Sequence, residues 1–354
     1  MFAETKQAVV AGTILSAVIA ASAQAAPAVS GVSGTLSSGQ TVTIAGSGFG
    51  TKSTVAPVLW DDFEKGNNGS LIQNNNAQIG KWDSGAGSEV VTYSTTKSRT
   101  GTKSSYHDFI NNYNASLAKN MAFSRLYMDF WVAVDYVDRP ARNFKPWRLY
   151  GADDSLQLSY VWLCDSQLIQ RDSAGWSQAD WGGPTYSKGK WMHMQLVYQE
   201  SSPNGSDGTI RHAVDSVTAG LNSGSILTRK QNASFGQIRI GHYWSREAVD
   251  ACASNGGARV YVDDVYIDTS WARVELGNAS TYSASTHREI QVPTAWSNGS
   301  VAVKFNPGTF TAGSTAYLYV TDSNNNTSPG IAVKIGGSAA SAVTPNPPGS
   351  VSTQ

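Results

Sequence analysis

Three pairs of polar residues draw attention by type and spacing: Arg148 with Tyr150, His193 with Gln195, and Arg239 with Tyr243. The members of each pair stand two or four residues apart, which in an extended strand puts both side chains on one face. Met192, Met194, Leu196 and Tyr198 alternate with His193 and Gln195, so the polar set belongs on a sheet face opposite an apolar one. His193 reads equally well as a hydrogen-bonded structural histidine. A second chemistry is ring stacking. The chain has 11 Trp and 15 Tyr, and aromatic faces stack on the weakly apolar C–H faces of sugars. Most of these rings are expected in a core. Trp176 and Trp181 lie in the turn-rich stretch 173–184, where a large aromatic has less reason to be buried, and with Arg239 and Tyr243 they are the candidate carbohydrate contacts. A third chemistry is cation binding. Asp62, Glu64 and Asp264 offer the hard oxygen ligands that Ca²⁺ prefers, and a structural calcium ion is the one cofactor the sequence suggests.

Other chemistries find no support in the spacing. No strand carries the alternating carboxylates of a retaining glycosidase. The histidines at 107, 193, 212, 242 and 287 and the two cysteines give no zinc-ligand spacing. Gly46, Gly48 and Gly50 lie between strands with no helix after them, so they form a turn rather than a phosphate loop. No G-x-S-x-G elbow occurs.

The elements that must position these residues are strands. Alternation recurs at 40–44, 126–135, 191–198, 237–244, 259–268, 300–305 and 316–321, separated by Gly-, Asn- and Ser-rich turns, with no convincing helical period. The expected fold class is all-β, of sandwich or jelly-roll type. The 26 Lys and Arg balance 26 Asp and Glu, and no block of like charge exceeds two residues, which argues against a nucleic-acid partner. Only 15% of residues are charged, so solubility falls to uncharged polar groups, a flavour common in secreted β-proteins.

Residues 1–25 carry Lys6, an apolar run from Ala8 to Ala20, and Ala23-Gln24-Ala25, the pattern of a signal peptide with its cleavage site. The run is shorter than the roughly 20 residues that span a bilayer. The expected mature protein is secreted or held at the cell surface, or periplasmic, without a membrane span. An oxidising compartment would permit a disulfide between Cys164 and Cys252, two separately buried thiols being the alternative. The stretch from Gly336, with Pro345, Pro347 and Pro348, reads as a disordered tail over 337–354.

Two family resemblances organise the mature chain. Gly39-Gln40-Thr41-Val42-Thr43-Ile44-Ala45-Gly46-Ser47-Gly48-Phe49-Gly50 resembles the opening of an IPT/TIG immunoglobulin-like domain. That pattern has gone by Trp60. Further strands of the kind return at Ala272 to Gly277, Arg288 to Pro293, Val301 to Lys304 and Ala316 to Val320. The implied organisation is a split domain, 26–58 plus 271–336, with 59–270 inserted in one of its loops. The insert resembles a concanavalin-A-like jelly roll of LamG or polysaccharide-lyase type. The resemblance rests on Trp60-Asp61-Asp62-Phe63-Glu64, on Gly189-Lys190-Trp191-Met192-His193-Met194-Gln195, on Asp207-Gly208, and on Val260 to Asp268. It implies that the first and last strands lie side by side.

In lyases of that fold, Arg and Gln or Asn neutralise a uronate carboxylate while His and Tyr exchange protons. By that resemblance Arg148, Tyr150, His193 and Gln195 are the catalytic candidates, although the longer catalytic signatures of the family are absent. The leading expectation is therefore carbohydrate binding without catalysis, the jelly roll recognising a polysaccharide or surface glycan and the immunoglobulin-like domain acting as spacer. A polysaccharide lyase is the alternative. The third reading is an extracellular assembly protein, such as an adhesin, a filament or sheath subunit, or a phage-associated receptor-binding protein, self-associating or attached through the immunoglobulin-like part.

Overall fold

The computed structural model describes residues 26–137, 144–151, 157–162, 166–172, 175–180, 187–229, 234–244 and 256–339. The fold is all-β, and the described residues contain no α-helix. Among the described residues every strand pairing is antiparallel. Two three-residue 3₁₀ turns, Ser88–Val90 and Tyr282–Ala284, are the other regular elements among them.

The larger body is a sandwich of two sheets. One has six strands in the order Gly175–Asp180, Ser166–Asp172, Gln157–Trp162, Phe144–Gly151, Phe235–Trp244 and Leu117–Asn120. The other runs Val217–Ile226, Gly208–Val214, Trp191–Gln199, Arg125–Tyr136, Ala258–Asp268, Ser104–Asp108 and Val91–Ser94. Leu59–Asp61 pairs with the far end of Ala258–Asp268, Trp60 opposite Tyr266, so the first strand of this body lies beside its last. Period-2 alternation fills the space between the sheets. Trp147, Leu149, Ile238 and Ile240 from the six-stranded sheet meet Met192, Met194, Leu196, Val260 and Val262 from the other, all buried in one core.

The smaller body holds the remaining strands in the order Ile331–Lys334, Thr315–Thr321, Arg273–Gly277, Arg288–Trp296, Ser300–Lys304, Thr41–Ser47, Ala28–Thr35 and Ser338–Ala339. Val42, Ile44 and Val303 from one end share a core with Val274, Leu318 and Val320 from the other, so this sheet folds over on itself. The fold-over falls in Arg288–Trp296, which pairs with Arg273–Gly277 through its first half and with Ser300–Lys304 through its second, the register shifting between Pro293 and Ala295. A bulge of this kind bends a strand and increases its twist. Phe49 is fully buried in this core.

Two sequence expectations are corrected here. The stretch 173–184 is not only a loop: Gly175–Asp180 is an edge strand, paired with Ser166–Asp172. Its polar composition hides the alternation, as suits a strand at a sheet edge. The tail begins later than 337, because Ser338 and Ala339 pair with Thr35 and Gly34; two ladder positions cap a strand that would otherwise be an open edge. Residues 1–25 and 340–354 lie outside the described residues.

The two bodies meet across the outer face of the larger body's sheet that contains Arg125–Tyr136 and Trp191–Gln199. Tyr127, Val197 and Tyr266 pack with Trp271, Ile290 and Val292 of the smaller body. Around this apolar patch run buried polar groups. Asp129 accepts hydrogen bonds from His193 Nε2 (2.8 Å), the Tyr127 hydroxyl (2.9 Å) and Gln195 Nε2 (2.9 Å). Glu275 accepts from Gln195 Nε2 (2.8 Å) and Arg273 Nε (2.7 Å), and Arg288 donates to Gln195 Oε1 (2.6 Å). Arg99 pairs with Asp264 of the larger body and Glu289 of the smaller, its guanidinium 3.5 Å from the centre of the Trp131 ring. Buried charges are tolerated when they are paired and hydrogen-bonded as these are.

Candidate functional site

Arg148 and Arg239 are direct cross-strand partners on the outer face of the six-stranded sheet. Like charges opposite one another destabilise a sheet, so this register is costly to keep. Side-chain acceptors hold both groups: Arg148 donates to Gln157 Oε1, and Arg239 Nε donates to Gln237 Oε1 at 2.5 Å. Both guanidinium groups also flank one imidazole. Arg239 Nη1 lies 2.9 Å from His242 Nε2, and Arg148 Nη1 lies 3.3 Å from Nδ1. The Tyr150 hydroxyl stands 3.4 Å from Nε2, and the Tyr150 ring carries Arg239 at 4.2 Å and Arg148 at 4.7 Å from its centre. Lys145 completes the set, its amine 4.4 Å from the centre of the Tyr243 ring. Lys145, Arg148, Tyr150, Gln157, Arg239 and His242 are all buried.

The backbone explains how His242 reaches this face. The pairing register shifts between Ile240 and Tyr243, so that two residues, Gly241 and His242, face one, Pro146, on the partner strand. Gly241 makes the turn at φ +66°, and a β-carbon there would fall 2.7 Å from the His107 imidazole. Glycine alone accommodates both conditions without strain. The extra residue places His242 beside Arg239 while Ile240 and Trp244 both stay in the core.

Burial, and then the positive charges of Arg148, Arg239 and Lys145, hold the His242 imidazole well below its usual range. It is neutral at physiological pH, and the 2.9 Å contact makes Nε2 the accepting nitrogen. Burial and the neighbouring Arg148 likewise push the Lys145 ammonium down. The cluster thus offers guanidinium groups that bind carboxylate in a fixed geometry, a neutral imidazole whose Nε2 lone pair is held by Arg239, and a phenol beside it.

The sequence-derived set does not come together as one site. Arg148, Tyr150 and Arg239 share a face, and Tyr243 is beside them. His193 and Gln195 lie on the other outer face of the sandwich, inside the junction with the smaller body, where His193 stacks on Trp131 with ring centres 4.4 Å apart. The reason is that alternation assigns a side chain to the outer face of its strand without saying which of two sheets owns the strand. Lys145, Gln157 and His242 were missed. The signal for His242 was Gly241, an isolated glycine in a strand, which often marks a bulge.

The carboxylates considered for calcium have protein donors. Asp62 accepts from Gln78 Nε2 (2.7 Å), Glu64 from the backbone and hydroxyl of Thr102 (both 2.7 Å), and Asp264 from Arg99 and Thr100. Among the described residues no cluster of three or more His, Cys, Asp or Glu could hold a metal ion. The Trp176 backbone pairs with Arg171 at the sheet edge. Trp181, Cys164 and Cys252 lie outside the described residues.

No protein-family model matches the chain, and no curated protein sequence matches it. Solved structures similar to it include an endo-β-1,4-glucuronan lyase from the fungus Trichoderma reesei, at 14% identity and a TM-score of 0.43, covering 61% of this chain and 97% of that one. A PL-14 alginate lyase from Aplysia kurodai aligns at 12% identity and a TM-score of 0.40, covering 51% of this chain and 87% of its own. The cellulose-induced protein Cip1 aligns at 14% identity and a TM-score of 0.38, covering 60% and 97%. Likenesses this distant assign neither a family nor an activity.

Proposed function

We propose that the protein acts on a uronate-bearing polysaccharide, cleaving it by β-elimination at the outer face of the six-stranded sheet. The observation that carries this reading is the convergence of Arg148 and Arg239 on a neutral His242 with Tyr150 beside it. Elimination next to a carboxylate needs that group's charge neutralised, a base for the C5 proton and an acid for the departing glycosidic oxygen. The two guanidinium groups serve the first need; His242 serves the second once the incoming carboxylate draws Arg239 away from its Nε2, and the Tyr150 hydroxyl serves the third. In this reading residues 59–270 form the carbohydrate-active body, inserted between the halves 26–58 and 271–336 of an exported chain. The pairing of Thr41–Ser47 with Ser300–Lys304 supports that division.

Binding without turnover is the second reading. One observation favours it: both ring nitrogens of His242 face guanidinium groups, leaving neither turned toward an incoming sugar. Incubation with polygalacturonate, alginate and a neutral glucan, followed by the ultraviolet absorbance of unsaturated uronate ends, separates the two. Absorbance that grows with an acidic polymer and disappears in His242→Ala supports elimination. Retardation in a gel containing the acidic polymer, with no unsaturated product, would establish binding alone. Equal indifference to every polymer would sink both.

A further inference from the structure

A cavity of about 310 Å³ opens in the seam between the two bodies, on the side of the large sandwich away from His242. The large sandwich contributes Tyr127, Gln195 and Arg211 to its wall, and the smaller body Arg273, Tyr282 and Arg288. Three guanidinium groups line it and no carboxylate does. Glu275 sits behind the wall, accepting from Arg273 Nε at 2.7 Å and from the Tyr282 hydroxyl at 3.2 Å, and standing 3.4 Å from Arg288 Nε, so it fixes the orientation of the cations without facing the space.

The wall has spare hydrogen-bonding capacity. The buried Ser216 hydroxyl oxygen has no hydrogen-bond partner, whereas Arg288, only 4% exposed, is held by Glu275, Gln195 and the Ser285 carbonyl. Leaving buried donors unmade is costly, and natural structures do so rarely. Ser216 (φ +65°) and Asp215 (φ +50°) form the two-residue turn that joins Gly208–Val214 to Val217–Ile226, which sets the Ser216 hydroxyl at the cavity wall. Arg211 is exposed and forms no ion pair among the described residues.

We propose that this cavity binds a carboxylate-bearing mono- or disaccharide, with Arg211 and Arg288 on the carboxylate. Guanidinium groups match a carboxylate in geometry as well as charge. The Ser216 hydroxyl, which has no partner of its own, suits a hydroxyl group of the sugar. The volume falls at the small end of ligand sites, which fits a short acidic sugar and not the interior of a polymer. The proposal does not depend on elimination at the other face.

Isothermal titration of the full chain with digalacturonic acid, with cellobiose as the neutral counterpart and sulfate as a plain anion, tests it. Digalacturonic acid should bind and cellobiose should not. Arg211→Ala, an exposed change outside the buried network, should weaken binding by about tenfold, the size of one charge-assisted hydrogen bond. Because the face carrying Arg239 is itself proposed to bind uronates, the titrations are repeated in Arg239→Ala, where the site in this cavity should remain. The idea is overturned if digalacturonic acid does not bind, if cellobiose binds as well, or if sulfate displaces the sugar at equal concentration, which would make the site one for inorganic anions. It fails too if Arg211→Ala and Ser216→Ala both leave the affinity intact, or if Arg239→Ala abolishes it.

Discussion

His193→Ala is the most informative perturbation, because the residue sits on an assumed catalytic face in sequence and in a domain junction in space. Its Nε2 hydrogen bond to Asp129 is 2.8 Å long and buried, a bond to a charged acceptor that contributes about 1.5–3 kcal/mol. Its stack on Trp131, nearly coplanar at 2° and 4.4 Å, adds roughly 0.5–1.5 kcal/mol. Asp129 keeps two donors in the variant, Tyr127 and Gln195, so the carboxylate is not stranded. The expected loss is therefore about 2–4 kcal/mol. Urea denaturation followed by tryptophan fluorescence reads it as a lowered midpoint at an unchanged slope. Measured on the same preparation below that midpoint, turnover or retention on acidic polysaccharide should match the parent. A variant as stable as the parent, or one that folds normally and has lost activity, would refute the assignment of His193 to the junction.

Three further outcomes follow from named contacts. Burial above all raises Asp61 to about 7 from 3.8, so its share of stability is complete below pH 4 and lost as pH rises through 7, a change on the order of 4 kcal/mol. Asp61→Asn should flatten the stability profile between those values, at the cost of one of the two hydrogen bonds that the carboxylate accepts from Phe63 and Trp82. Glu289 has the opposite sign: despite the opposing cost of burial, His287 and Arg99 hold it at about 2 against 4.5, so its stabilisation is present above pH 4.5 and disappears as acid approaches pH 2. Glu289→Gln should remove that part of the acid transition. Gly241→Ala meets both a positive φ and the His107 ring, and should cost about 1–3 kcal/mol in denaturation while lowering activity further by displacing His242.

Strands and faces were legible because each rests on a local rule. Alternation at 191–198 correctly sent Met192, Met194 and Leu196 inward, and the neighbouring first and last strands that the jelly-roll resemblance implied are Leu59–Asp61 and Ala258–Asp268. The grouping of the site was not legible. A sandwich has two outer faces with identical period-2 signatures, and only pairing partners distinguish the strand of His193 from that of Arg148. His242 was hidden for a different reason, since a bulge breaks the period on which face assignment depends. Lys145 and Gln157 gain meaning only from their neighbours across the sheet, Tyr243 and Arg148.

The pairing of Gly34 and Thr35 with Ala339 and Ser338 brings both ends of the described residues into the smaller body. Tension applied between those ends would be borne by its strands alone, because the larger body hangs from the chain as a side branch between Ser47 and Arg273. The face carrying Arg148, Arg239 and His242 is thereby spared mechanical load. A protein tethered at one end and dragged through a viscous gel could keep that face intact until its own anchor unravelled.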